Sequence, residues 1–211
     1  FNDNGFGERG DLGAMVKAIL LDPEAQPALH MEIDGKIKEP LLRLTQLWRA
    51  YDAQSQSGEY PLAPAHIIFG QGPMQSPSVF NFFSPFYAPA GEIRNSGLVA
   101  PELQIATEYQ NTFVTNYWFL LTFDWNSEKV DPGEDEVLIQ IADELSVADD
   151  TDALVDLVAD KLLAGQISPM LRAEMVNLVD LVRVAWPDND TSLVAEAIYL
   201  VISSPEFAYQ R

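Results

Sequence analysis

Apolar residues recur along most of this chain at the three- and four-residue spacing that puts them on one face of a helix. Leu12, Met15, Val16, Ile19 and Leu20 line up in this way. Asp11 stands where a cap would sit, and Pro23 stops the run. A second helix opens at Pro40, whose fixed φ and missing N–H suit a first helical position. Its apolar face is Leu41, Leu44, Leu47, Trp48 and Tyr51. From Pro101 a third run places Leu103, Ala106, Tyr109, Phe113, Tyr117 and Leu120 on one side, with Gln104, Glu108, Asn111 and Thr115 opposite. So apolar a helix, with one charge in its polar stripe, is expected to be central and to bury that apolar side.

Further on, Val137, Leu138, Ile141 and Leu145 predict one amphipathic helix, and Leu154, Leu157, Val158 and Leu162 predict another that Gly165 closes. The best-marked helix is SPMLRAEMVNLVDLVRVAWP, with Ser168 at the cap, Pro169 first and Pro187 beyond its end. TSLVAEAIYLVISS supplies the last. Only HIIF, residues 66–69, reads as strand. The fold class expected is mostly α, an irregular multi-helix bundle of seven or eight helices with little or no β. Residues 1–125 read as a helical core, and 126–211 as an acidic helical subdomain packed on it, together one compact unit.

Periodicity fails between residues 54 and 101, where Pro and Gly recur too often for a long regular element. At the centre lies SPSVFNFFSPFYAP, residues 76–89, with five aromatic rings and three prolines. Burying five rings at about 25 cal/mol per Å² yields roughly 20–30 kcal/mol. Ordering fourteen residues costs on the order of 20 kcal/mol. On that balance the segment is ordered only if most rings are buried, so a proline-stiffened loop docked across helices is favoured over an exposed aromatic platform. Asn81, among Phe80, Phe82 and Phe83, is then a buried amide in need of partners.

Composition narrows the function classes. A net charge of −20 argues against nucleic acid or an anionic membrane surface, both of which reward Lys and Arg. Most of the excess lies in residues 128–160, with twelve acids against Lys129 alone, and reads as solvated outer faces of amphipathic helices. With no cysteine, the chain cannot form disulfides, thiolate metal sites or cysteine nucleophiles. No apolar run is long enough to span a membrane. The opening at Phe1, with no Met or signal sequence, reads as a boundary within a longer protein.

Candidate chemistry is sparse. P-loop, nucleophile-elbow and HExxH patterns are missing. His30 and His66 are the only histidines, and neither has metal-ligand spacing to the other; His66 in AHIIFG is read first as a hydrogen-bonded structural group. Asn2, Asp3, Asn4, Glu8 and Asp11 offer hard oxygen ligands of the kind Ca²⁺ takes, but not at EF-hand spacing, so an Asx-rich turn before a capped helix is preferred. Arg94 is a candidate for an anion contact or for pairing with Glu92 or Glu102. The residues singled out for binding are His66, Phe80, Asn81, Phe82, Phe83, Tyr87, Arg94 and Glu102.

GFGERGDLGAMVKAILLDPEA, KEPLLRLTQLWRA, SPSVFNFFSPFYAPAGEIRNSGLVAPELQI and YLVISSPEFAYQR together resemble the C-terminal part of the bacterial domain of unknown function 1800 family. The likeness covers nearly the whole chain, less clearly residues 125–165. It implies an exported protein, periplasmic or extracellular, whose gene often neighbours one for a sulfatase-like protein (domain of unknown function 1501). It supplies no catalytic residues. Two functions are therefore expected: a binding or scaffold module for a protein partner or surface glycan, or part of a polysaccharide- or polymer-acting enzyme whose site is shared with an upstream half.

Overall fold

The computed structural model describes residues 1–23, 35–62 and 64–210; His30 lies outside them. The chain divides into two compact units, residues 1–36 and residues 37–210. In the first unit, α1 (Leu12–Leu20) begins as expected, with Asp11 Oδ1 accepting from the Ala14 N–H at 3.0 Å. None of its residues is buried.

The regular structure of the second unit is mostly helical; the two-residue strand β1 (Lys36–Ile37) falls at the boundary between the two residue ranges and β2 (Tyr209–Gln210) at the end of the second. Its helices run α2 (Pro40–Ala50), α3 (Ala65–Ile68), α4 (Glu92–Asn95), a 3₁₀ turn (Pro101–Gln104), α5 (Glu108–Phe123), α6 (Ala142–Ser146), α7 (Thr151–Leu163), α8 (Pro169–Ala185), α9 (Asp190–Ser203) and α10 (Pro205–Ala208). The mostly α expectation holds.

α9 is the axis of the core, packed against α5, α7 and α8. It can be central because it is apolar nearly all round: Leu193, Val194, Ala195, Ala197, Ile198, Val201 and Ile202 are all buried. α2 adds Leu44, Leu47 and Trp48, the face expected of it, with Tyr51 buried just past its end. α7 and α8 bring Leu154, Val158, Leu162, Leu171, Met175 and Val179 into the same cluster. Ser168 caps α8 through its hydroxyl, which accepts from the Leu171 N–H at 3.1 Å, and Pro169 follows.

Three local expectations are corrected. HIIF is the helical turn α3, because the Pro64 carbonyl accepts from the N–H groups of Ile67 and Ile68, and Ala65 and Phe69 then bury together at i, i+4 spacing. In the predicted helix of residues 137–145, Leu138 and Ile139 instead form isolated β-bridges, and the helix α6 begins only after Ile141. Leu138 exchanges two backbone hydrogen bonds with Gln54, and Ile139 donates to the Trp125 carbonyl, so their polar groups are taken before a helix can use them. The run from Pro101 is broken at Ile105–Ala106, and α5 starts afresh with Thr107 as its cap.

The apolar side of α5 is also not the one expected. Val114, Trp118, Leu121 and Thr122 are buried, whereas Tyr109, Phe113 and Leu120 are exposed. Tyr117 lies between the two sides, edge-on to both Phe69 and Trp125, and burial pushes its phenol up to about 12.

A stapled aromatic loop as the candidate functional site

The segment between α3 and α5 holds its shape chiefly through hydrogen bonds. Ser78 Oγ accepts from the Phe80 N–H at 3.1 Å, and Ser84 Oγ accepts from the Phe86 N–H at 3.4 Å. These are two copies of one local device, Ser-x-Phe, in which a serine hydroxyl closes a turn over the ring-bearing residue. Longer ties fix the ends. The Ser84 N–H donates to Gln104 Oε1 at 2.7 Å, and the Ala100 N–H to the Tyr87 carbonyl at 2.9 Å. Arg94, on α4, donates from Nε to the Ala88 carbonyl at 3.1 Å and from Nη2 to the same oxygen.

This arrangement overturns the expectation of ring burial. Phe80 is 79% exposed, Phe86 83% and Val79, next to Phe80, 94%. Phe82, Phe83 and Tyr87 are half-buried, so none of the five rings is sealed in the core. The earlier balance counted only apolar burial against chain entropy. It left out the side-chain-to-backbone staples.

Asn81 is likewise exposed, and takes a left-handed conformation at φ 74°, which asparagine tolerates better than most residues. It is a turn residue, not a buried amide. Arg94 is exposed and engages the Ala88 carbonyl instead of Glu92 or Glu102. Glu102 is buried in the 3₁₀ turn. His66 is exposed on α3 and is not the hydrogen-bonded structural group expected.

Of the eight singled-out residues, the structure therefore groups Phe80, Asn81, Phe82, Phe83, Tyr87 and Arg94 in one stapled loop. The residues missed are Met74, Val79, Phe86, Leu98 and Val99, all exposed in the same stretch, and Gln104, which anchors it. The repeated Ser-x-Phe was the available signal, since each copy precedes a ring that stands in solvent. In the N-terminal unit, Asp3 Oδ1 accepts from the N–H groups of Gly5 and Gly7, while Asn4 Nδ2 donates to Glu8 and Asp11. That is the Asx-rich turn. The Gly7 and Gly5 bonds hold the Asp3 carboxyl below its usual range.

Fold and loop together define a mostly helical protein with a hydrogen-bonded aromatic segment that exposes Phe80 and Phe86. Among the described residues no helix is long and apolar enough to cross a membrane. The chain belongs to the family described as protein of unknown function DUF1800, whose family model matches residues 1–209. No curated protein and no solved structure matches it.

Proposed function

We propose that this protein is a binding or scaffold module, exported to the periplasm or cell exterior, that engages a protein partner through the loop of residues 74–99. The observation that supports this reading is the exposure of Val79, Phe80 and Phe86 on a segment hydrogen-bonded into one shape. Exposed apolar side chains concentrated in one segment mark interaction surfaces. Rings held in place before binding lose little entropy on contact, as interface anchors require.

A protein is favoured over a glycan because aliphatic Met74, Val79, Leu98 and Val99 accompany the rings. Arg94 and Gln104, which could hydrogen-bond a sugar, are engaged in the loop itself, so exposed Asn81 is the polar side chain set among the rings. An enzyme reading would call for converging carboxylates there; Glu102 is buried in the 3₁₀ turn instead. The partner proposed is the sulfatase-like protein of the neighbouring gene. Co-expression of the two, with one tagged, should recover a stoichiometric complex. Recovery of the tagged protein alone, or retention on polysaccharide with no protein bound, would contradict the assignment.

A further inference from the structure

Basic residues are few in this chain, twelve against thirty-two acids, and the partly buried ones are generally paired. Lys129 contacts Asp124 and Glu136, and Lys161 contacts Asp143 and Glu144. Lys38 and Arg43 depart from this. Arg43, in the first turns of α2, is partly buried, and its Nε is sealed from solvent with no acceptor. Among the described residues it donates no hydrogen bond and forms no ion pair. Lys38, just before α2, is also partly buried, with Nζ 4.8 Å from the centre of the buried Phe207 ring and its backbone N–H bonded to the Ala208 carbonyl. Glu39, the acid between them, is turned away to Gln71, whose Oε1 accepts from the Leu41 N–H.

We propose that Lys38 and Arg43 form a binding site for a carboxylate. A guanidinium Nε sealed from water without an acceptor is unfavourable, and the fork of donors it belongs to matches a carboxylate. Two cations against one engaged carboxylate leave room for a single negative charge, which favours a monoanion over phosphate or sulfate. Burial lowers the pKa of both groups, and for Lys38 the Arg43 charge adds to it. The two cations therefore weaken each other, and an anion between them would relieve both.

The test is thermal denaturation of the intact protein in sodium propionate, in acetyl-glutamate amide, and in sodium sulfate or phosphate, each against sodium chloride at equal ionic strength. Propionate and the glutamate derivative should raise Tm saturably above the chloride curve, with sulfate and phosphate weaker. A stronger effect of the glutamate derivative than of propionate assigns the ligand to an acidic side chain; equal effects assign it to a free carboxylate. Arg43→Met should remove the response and leave the ligand-free protein as stable or more so, since an unpaired charge is gone. Lys38→Met, at a less buried position, should weaken the response roughly tenfold or more. Coincident carboxylate and chloride curves, a response that survives both substitutions, or preference for sulfate or phosphate would overturn the proposal. So would Arg43→Met unfolding the protein while Lys38→Met leaves the response intact.

Discussion

The Ser84 backbone N–H and Gln104 Oε1 lie 2.7 Å apart, across twenty residues of chain, and this bond ties the aromatic loop to the turn that leads into α5. A rigid presentation of Phe80 and Phe86 depends on such ties, because the rings themselves contribute little burial. Gln104→Ala should therefore loosen residues 76–99 without unfolding the helices, at about 1 kcal/mol of local stability. Hydrogen exchange would show faster exchange confined to that segment. Unchanged exchange there would mean that the loop is held by something else.

The deepest charge in the second unit gives a second expectation. Lys161 Nζ lies 2.7 Å from Glu144 Oε1, whose carboxylate is fully buried, and neither of its oxygens accepts a well-formed hydrogen bond. The contact is a charge pair off the line of a good hydrogen bond, and the same ammonium stands 5.0 Å over the Tyr51 ring. Lys161→Met leaves a buried carboxylate uncompensated and should cost about 3 kcal/mol. Adding Glu144→Gln should restore part of that loss, as urea denaturation of the single and double variants would measure.

The same pair sets a pH dependence. Burial alone lowers the Lys161 ammonium, but its contacts with Glu144 and Asp143 outweigh that and hold it above the usual lysine range. The folded value is thus the higher one. Its stabilisation is fully present below the ordinary lysine pKa of about 10.4 and fades as pH rises through the folded value. Denaturation midpoints from pH 8 to 11.5 should fall at the alkaline end, and less steeply in Lys161→Met.

α7 ends on strain that can be removed. Ala164 is left-handed at φ 53° and Gly165 follows at φ 72°. The first of these conformations disfavours any residue with a Cβ. Ala164→Gly should raise stability by roughly 0.5–1 kcal/mol, read as a higher Tm. A drop would show that the Ala164 methyl packs usefully.

The sequence made α2, α7, α8 and α9 legible because caps, prolines and apolar spacing agree there; Ser168 with Pro169 is the clearest instance. On α5 spacing alone could not decide. Tyr109, Phe113 and Leu120 form as good a stripe as Val114, Trp118 and Leu121, and only contact with α9 and α3 selects the second. Residues 137–141 show the same limit, since their partners Gln54 and Trp125 are distant in sequence. The site was half legible. The loop was recognisable as a feature, but its exposure rests on hydroxyl and amide staples that an area-based balance does not contain.

The exposed rings carry the central claim, and the affinity of the Phe80→Ser, Phe86→Ser double variant for the proposed sulfatase-like partner tests it most directly. Both side chains stand in solvent, so the double variant should keep its fold, with its unfolding free energy changed by no more than about 0.5 kcal/mol per site. Titration calorimetry should then show binding weakened at least a hundredfold, as expected when anchor residues are removed. Unchanged affinity in the folded double variant would contradict the account.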